Sequence, residues 1–369
     1  MTALSEPAQV GLAHDYLLVR RGAERTFEAI AELWPGAPVY TTLYSAAGTD
    51  EAFAGHPIHT SPLQRLGLEQ ATFRRWLPVF PWATSRLDLT RHDLVLSSSS
   101  AFAHGVRVDP AAVHVCYCHS PFRYVWHERE TALREVPSVA RPALRGVLGA
   151  IRRWDVRASE RVTSYVANAR ITQDRIAEFY GVESEIVHPP VDVERFAAAP
   201  PEDYLLTVGE IVAHKRIEVA LEGARRAGRR VQVVGTGPEL ERLRVRYRGT
   251  AEFLGRVPDD QLPELYAKAA AVLVPNVEEF GIVAVEAQAA GRPVVATGKG
   301  GAVETVLDGT TGVLAPNGSI DEFAEILAHT DFHRFDSARI AEHAQRFSRP
   351  RFQSELRDAA LRAWRTHPR

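Results

Sequence analysis

The feature that most constrains the fold is an alternation of short apolar runs with amphipathic stretches of helical period along most of the 369 residues. Short apolar runs are typical of buried parallel strands, and the stretches between them are typical of the helices that cover such a sheet. A proline- and alanine-rich break at residues 188–201 interrupts the alternation, which then restarts. The pattern therefore predicts an α/β protein with two facing Rossmann-like domains, each built on a parallel sheet.

Individual elements follow from the same pattern. Strands are predicted at Val10–Ala13, Leu94–Ser97, Val113–Cys118, Thr163–Ala167, Tyr204–Val208, Val231–Val234, Ala270–Val274 and Pro293–Ala296. Helices are predicted at Ala23–Leu33, Arg170–Tyr180, Ile217–Ala227, Glu239–Tyr247, Gln261–Ala270, Ile282–Ala290 and Arg351–Trp364, while residues 61–86 read as irregular. We expect domains at 1–193 and 194–346, and a C-terminal segment, 347–369, whose helix packs back on the first domain.

Composition excludes several classes of protein. The net charge is -2, so no overall field recruits nucleic acid or anionic lipid. Cys116 and Cys118 are spaced poorly for a disulfide, and no second cysteine pair completes a zinc site, so they are interpreted as reduced core residues and no metal is expected. With no secretory signal and no membrane-spanning run, we expect a cytoplasmic protein, at most peripheral at the inner membrane face.

The segment 274–286 carries the strongest chemical signal. A buried strand is predicted to end there, a polar loop follows, and Gly281 opens a helix. The free N–H groups near Phe280, Gly281 and Ile282, together with the positive end of the helix dipole, predict an anion site. Open α/β sheets bind ligands at such carboxyl ends of strands.

Two acids bracket this anion site. Glu278 precedes it and Glu286 lies within the helix, a spacing of roughly 12 Å at the helical rise. Because a carboxylate accepts hydrogen bonds from vicinal hydroxyls, the pair suits a ligand with a sugar at one end, a diphosphate in the middle and a ribose at the other. Taken singly, each acid is better explained as a solvated surface charge.

A second segment, 208–218, places Lys215 and Arg216 at a helix start. Cations are unfavourable there unless an anion lies nearby, and a diphosphate would resolve the conflict. The alternative is an exposed charged turn.

Three further positions carry weaker signals. Gly235 and Gly237 form a glycine-rich turn without the third glycine of a dinucleotide fingerprint, so a plain tight turn is equally consistent. Gly22, after the first strand, permits a phosphate to approach the backbone. His119 follows a strand directly and is favoured by that location, although a lone histidine is usually structural.

Together these segments resemble glycosyltransferase family 4, a retaining family with the two-domain GT-B fold. The likeness is nearest to bacterial mannosyltransferase-like enzymes of surface polysaccharide or glycolipid assembly. It runs from His14 to Ser348 and is carried by Ser97–Phe102, Cys116–Trp126, His188–Asp192 and, most specifically, the E-x7-E motif Glu278–Glu286.

The resemblance implies roles for individual residues. Glu278 would contact the transferred sugar and Glu286 the ribose, Lys215 would bind the diphosphate, and His119 would lie near the reacting sugar and acceptor. The resemblance also gives backbone contacts with sugar and phosphate to Phe280, Gly281, Ile282 and Val283, and it puts Val257 beside the base.

The implied activity is transfer of a hexose, with GDP-mannose the best guess for the donor over a UDP-sugar, to a glycan or lipid-linked acceptor. The nucleotide-sugar is a co-substrate, so no cofactor is expected. Closure of the two domains would exclude water, and no divalent ion is needed because fixed charges replace it. Basic residues beside Trp76 and Trp82 suit a membrane interface, although a packed loop is the simpler explanation.

The chain departs from the family pattern at two positions. Glu210 stands where the family usually has arginine, and Ala23 replaces the second glycine of the N-terminal loop. Both departures keep open an alternative, a catalytically silent protein that binds nucleotide-sugars. An NAD-dependent epimerase or dehydrogenase would need G-x-G-x-x-G after the first strand, which residues 11–25 lack.

Overall fold

The structure is a computed structural model that describes residues 7–68, 73–134 and 136–368. The chain divides into two compact units, and each is built on its own sheet. The first unit contains residues 1–188 and 352–369, and the second contains 189–351. These divisions differ slightly from the predicted 193/194 and 346/347, because the proline-rich connector belongs with the second unit.

The first unit is built on a seven-stranded sheet in the order β3-β2-β1-β4-β5-β6-β7, with every pair parallel. Its strands are β1 Val10–His14, β2 Val39–Thr41, β3 Ile58–Thr60, β4 Leu94–Ser99, β5 Val113–Cys118, β6 Ser164–Ala167 and β7 Ser184–Ile186. Its helices are α1 Gly22–Ala31, α2 Phe80–Thr84, α3 Arg129–Arg134, α4 Arg141–Ser159 and α5 Arg170–Tyr180. The part predicted to be irregular contains 3₁₀ turns at Pro62–Leu66 and Phe73–Val79 besides α2.

The second unit has a six-stranded parallel sheet in the order β10-β9-β8-β11-β12-β13. Its strands are β8 Leu205–Val208, β9 Val231–Val234, β10 Ala251–Gly255, β11 Ala271–Val274, β12 Val294–Thr297 and β13 Gly312–Ala315. Its helices are α6 Ile217–Arg226, α7 Leu240–Arg246, α8 Leu262–Lys268, α9 Ile282–Ala289, α10 Ala302–Thr305, α11 Ile320–His329 and α12 Ser337–Ala344.

In the second unit, successive residues of a strand pack into two different hydrophobic cores, one on each face of the sheet. Leu205 and Leu273 point to the core that includes α6 and α11, and Leu206 and Val272 point to the core that includes α8 and α9. This follows from the two-residue period of a strand and requires both faces to be covered. Both faces of the sheet are therefore covered by helices, and the ends of its central strands remain as places where a ligand can bind.

The last helix, α13 Arg349–Thr366, returns to the first unit, as predicted. Phe352, Leu356, Ala359 and Ala363 repeat at helical spacing and pack into the core formed with β1 and α1. Gln353 Nε2 also donates to the carbonyl of Ala29 at 3.1 Å. The helix is thus a structural part of the first unit.

The two cysteines of β5 are free and buried, as predicted. Burial raises the pKa of the Cys116 thiol to about 12, so the thiol stays protonated at neutral pH. Among the described residues, no helix is both long and apolar enough to cross a bilayer.

Two histidines of the first unit are buried and uncharged. Burial lowers the pKa of both His14 and His114 to about 3. His14 stacks on Phe27 with ring centroids 4.8 Å apart, and His114 Nε2 lies 2.7 Å from Ser97 Oγ. Both imidazoles therefore stay neutral in the folded unit at pH values where they are protonated in the unfolded chain, in which the histidine pKa is near 6.5.

These depressed pKa values predict acid sensitivity. Below pH 6.5 the unfolded chain binds protons that the folded unit excludes, so the free energy of unfolding falls as the pH falls, by about 2 kcal/mol per histidine at pH 5. Tryptophan fluorescence during urea unfolding follows this unit alone, since all six tryptophans lie in it. His114→Gln is expected to remove about half of this loss between pH 7 and pH 5. An equal fall in wild type and variant would refute the assignment.

Candidate active site

The strand order of the second unit predicts a ligand site at the carboxyl edge of its sheet. Successive strands run outward one way from β8 to β10 and the other way from β11 to β13, so the order reverses between β8 and β11. At such a switch point the loops after the two strands separate and leave a crevice. The two segments singled out from the sequence are those loops.

Lys215 and Glu278 meet across this crevice. Lys215 ends the 3₁₀ turn after β8, and its Nζ donates to Glu278 Oε1 in the loop after β11. Asn276 Nδ2 donates to the same oxygen at 2.9 Å. The Lys215 and Glu278 side chains are 28% and 25% exposed, so a small ligand can still reach the pair. Asn276 was missed from the sequence, although a polar residue two positions after a buried strand was an available signal.

Gly281 lies immediately before α9, as predicted. Its φ of 89° is in the left-handed region, which a residue with a side chain rarely adopts. A Cβ built on Gly281 would be 3.9 Å from Glu278 Oε2, so the second carboxylate oxygen lies beside the helix start. The first-turn N–H groups, including those of Ile282 and Val283, have no acceptor within the helix and can bind an anion.

Glu286 is held further along α9 by a buried tyrosine. Tyr266 of α8 is fully buried, and its hydroxyl donates to Glu286 Oε2 at 2.8 Å. Burial, and then the charge of Glu286, hold the pKa of Tyr266 well above its usual value, so the phenol keeps its proton and remains a donor. Nothing in the sequence pattern pointed to Tyr266, which was predicted only as part of a helix.

Arg216 has a structural role in this site. Its backbone is left-handed, with φ 51°, at a cost of about 1 kcal/mol for a residue with a side chain. Its guanidinium donates to the carbonyls of Pro275 at 3.3 Å and Gly318 at 2.6 Å. These bonds tie together the loops after β11 and β13, and contact with a diphosphate stays a prediction.

Glycine is required at positions 235 and 237 because the backbone of a neighbouring loop lies too close for a side chain. A Cβ on Gly235 would lie 1.8 Å from the Gly209 carbonyl oxygen, and one on Gly237 would lie 2.3 Å from that of Ile211. The N–H of Ile211 also donates to Thr236 O at 2.9 Å. The loops after β8 and β9 therefore pack backbone to backbone, whether or not a ligand touches them.

Val257 lies just beyond β10, at the same carboxyl edge of the sheet. It is half-buried and packs against the apolar core beside α8. Its predicted place next to a base stays a prediction.

The first unit has its own polar edge at the corresponding switch point, between β1 and β4. Asp15, directly after β1, is buried and accepts hydrogen bonds from the N–H groups of Ser100, Phe102 and Ala103 at 2.6–2.7 Å. Burial raises the pKa of this carboxyl, and the three donors oppose the rise. Asp15 thereby fixes the loop after β4.

His119 and Gly22 also lie at this edge. His119 follows β5, and its Nε2 is 2.8 Å from Ser98 Oγ, while its carbonyl accepts from Thr172 Oγ1 at 3.1 Å. Gly22 is the first residue of α1, next to Arg21, whose N–H donates to Glu24 at 2.9 Å. These two predicted site residues thus belong to the first unit.

Four of the predicted residues lie within the second unit: Lys215 follows β8 and contacts Glu278, which follows β11, while Gly281 precedes α9 and Glu286 lies within it. Together they combine a cation, two carboxylates and the amino end of a helix. Such a set binds a phosphate group and adjacent hydroxyls. Within residues 7–68, 73–134 and 136–368, no three His, Cys, Asp or Glu side chains are grouped as metal ligands.

Family models match both units. The model for Glycosyltransferase Family 4 matches residues 20–195, and that for Glycosyl transferases group 1 matches residues 202–330. A D-inositol 3-phosphate glycosyltransferase of Kribbella flavida is 33% identical over 210 residues, 47% of this chain and 48% of the relative. A GDP-mannose-dependent alpha-(1-6)-phosphatidylinositol monomannoside mannosyltransferase of Mycolicibacterium smegmatis is 33% identical over 186 residues, 42% of this chain and 49% of the relative. The chain thus spans about half the length of these curated relatives.

Solved structures resemble almost the whole chain. Anabaena HepE in complex with UDP superposes with a TM-score of 0.70 at 18% identity, covering 96% of this chain and 100% of HepE. Sucrose-phosphate synthase from Thermosynechococcus elongatus gives 0.73 at 15% identity, covering 97% and 99%. These likenesses concern the fold, and they agree with two parallel-sheet Rossmann-like units of the GT-B type. The family matches to residues 20–195 and 202–330 identify this chain as a glycosyltransferase of the family 4 type.

Proposed function

We propose that the protein is a retaining glycosyltransferase that moves a hexose from a nucleotide diphosphate sugar to a glycan or lipid-linked acceptor. The observation that carries the proposal is the contact of Lys215 with Glu278 at the amino end of α9. A cation and unpaired N–H groups suit the diphosphate, and the acids on either side suit the sugar and the ribose. Mannose and GDP are the preferred sugar and nucleotide, given the relative that uses GDP-mannose.

In the proposed reaction, the bond between C1 of the sugar and the diphosphate oxygen breaks, and C1 bonds to an acceptor hydroxyl on the same face. The nucleoside diphosphate leaves with the bonding electron pair, and its leaving oxygen takes up the proton that the acceptor hydroxyl loses. Lys215 and the N-terminus of α9 stabilise the charge that grows on the leaving group. His119 is assigned to the acceptor, and Glu286 to the ribose.

The proposal does not use a divalent ion, because Lys215 and the helix N-terminus supply fixed positive charge. Transfer is therefore expected to be unchanged in EDTA. A rate that falls in EDTA and recovers with Mg²⁺ or Mn²⁺ would contradict this part of the proposal.

A panel of GDP- and UDP-sugars in a thermal-shift assay tests donor binding, since a ligand that binds only the folded state raises the unfolding temperature. Release of nucleoside diphosphate in the presence of mannosylated or lipid-linked acceptors then tests turnover. Stabilisation by no donor would remove the proposal. If a donor stabilises the protein but no acceptor leads to release of nucleoside diphosphate, the result would favour a catalytically silent binding protein. The exposed acid Glu210, in place of the arginine usual in the family, motivates that alternative.

The lipid-linked acceptor has support in the first unit. Trp76 and Trp82 are 39% and 48% exposed, and the guanidinium of Arg86 lies 5.5 Å from the Trp82 ring centroid. Exposed Arg75 adjoins them, whereas the Arg74 side chain lies outside the described residues. Exposed tryptophans beside arginines suit the headgroup region of a membrane.

Sedimentation with vesicles tests this contact. We expect the protein to sediment with vesicles containing phosphatidylglycerol and to bind phosphatidylcholine vesicles less. The double variant Trp76→Ser, Trp82→Ser should lose most of the binding while still binding the donor, which lies in the other unit. No sedimentation of the wild type with either vesicle would remove the membrane contact.

A further inference from the structure

The positive charge that Lys215 and the amino end of α9 give to the proposed donor site does not balance a nucleoside diphosphate. Lys215 is paired with Glu278, so the two together contribute no net charge. The guanidinium of Arg216 already donates to two backbone carbonyls. Glu210, on the loop after β8, is an exposed acid and adds negative charge. A nucleoside diphosphate brings at least two negative charges to this edge. Charge complementarity therefore calls for another cation nearby.

Lys299 lies on the loop that follows β12, the strand next to β11 in the sheet. Both ends of the loop are fixed by backbone hydrogen bonds. The N–H of Gly298 donates to Ala315 O at 2.7 Å, and the N–H of Gly301 donates to Glu278 O at 2.8 Å. The loop is therefore held directly against the backbone of the residue that contacts Lys215.

Two glycines bring the loop and the E-x7-E segment into close contact. A Cβ on Gly300 would lie 2.4 Å from Glu278 O, and a Cβ on Gly301 would lie 2.1 Å from Phe280 O. No side chain fits at either position. Residues 298, 300 and 301 are all glycines, so Lys299 is the only residue of this four-residue loop that carries a side chain. It lies next to the amino end of α9.

The other two lysines have partners. Lys268 lies 2.7 Å from Glu264 and 3.5 Å from Glu202, and Lys215 is paired with Glu278. Lys299 is exposed, and within the part of the chain that the structure describes it forms no ion pair. Its four-carbon stem leaves the ammonium able to turn toward a ligand at the helix start.

We infer that Lys299 is the second cation of the donor site and binds the diphosphate of the nucleotide-sugar from the side opposite Lys215. The inference rests on the proposed function and adds a residue to it. Lys299 replaces the charge that Glu210 does not supply. On departure of the sugar it shares the negative charge of the leaving nucleoside diphosphate with Lys215.

Calorimetric titration with GDP, UDP and the matching nucleosides tests this role at low and at physiological salt. Lys299→Gln is expected to weaken diphosphate binding about tenfold, to reduce its dependence on salt and to leave nucleoside binding unchanged. Lys299→Arg should restore most of the affinity. Lys268→Gln, the matched control, should bind like the wild type.

The outcomes separate this inference from the proposed function. If the wild type binds a diphosphate and Lys299→Gln binds it equally well with the same salt dependence, the role of Lys299 is refuted and the proposed function stands. Equal weakening for nucleoside and diphosphate would also refute it, because the effect would then not depend on phosphate charge. A wild type that binds neither diphosphate would overturn both.

Discussion

Replacing Lys215 with methionine is expected to weaken nucleoside diphosphate binding and slow sugar transfer, each by about 100-fold. Methionine keeps most of the aliphatic stem and removes the ammonium. The change acts twice, because it deletes the cation and leaves the Glu278 carboxylate without that cation beside an incoming anion. Calorimetry with GDP or UDP measures the first effect, and release of nucleoside diphosphate measures the second.

Lys268→Met is the matched control for this variant. Lys268 ends α8, shortly before β11 begins, so it lies near the amino edge of the sheet and away from the switch point. Its ion pairs with Glu202 and Glu264 are largely exposed and contribute little stability. If both lysine variants kept wild-type affinity and rate, the anion site would have to lie elsewhere.

Glu278→Gln should separate affinity from catalysis. We expect transfer to fall by about 100-fold or more, because the neutral amide no longer stabilises positive charge on the sugar as its bond to the diphosphate breaks. Affinity for the free nucleoside diphosphate should rise several-fold, since Lys215 is released from its paired acid and the negative charge beside Gly281 is gone. Parallel titration and turnover assays would show the two quantities moving in opposite directions.

Glu279→Gln serves as the control for the loss of one negative charge from the same loop, and we expect it to change both quantities far less. A fall in diphosphate affinity in Glu278→Gln, matching the fall in rate, would show that the carboxylate shapes the loop instead of competing for Lys215. An unchanged rate would exclude contact between Glu278 and the reacting sugar.

The sequence allowed prediction of those parts of the site that depend on local pattern. The apolar run before Pro275 and the glycine at 281 predicted a strand, a loop and a helix start, and the structure confirms all three. The basic pair at 215–216 was predicted at a helix start for the same reason. Local pattern also predicted the buried inner strands, such as β4, β5, β8 and β11, and the C-terminal helix.

What could not be predicted depends on partners distant in sequence. The strands β2, β3, β7, β10 and β13 were missed, because each includes partly exposed residues and four of them, β3, β7, β10 and β13, are edge strands. The hydrogen bond from Tyr266 to Glu286 joins two helices. The bond from Arg216 to Gly318 spans more than 100 residues, and no short motif encodes it.

The backbone-to-backbone packing of the glycine turns has a consequence for protein engineering. Positions 235, 237, 300 and 301 tolerate no substituent, because a neighbouring carbonyl occupies the space that a methyl group would need. The residues between and beside them, Glu210, Thr236 and Lys299, all extend into solvent. A combinatorial library aimed at new donor preference should therefore randomise these three codons and keep the glycines constant.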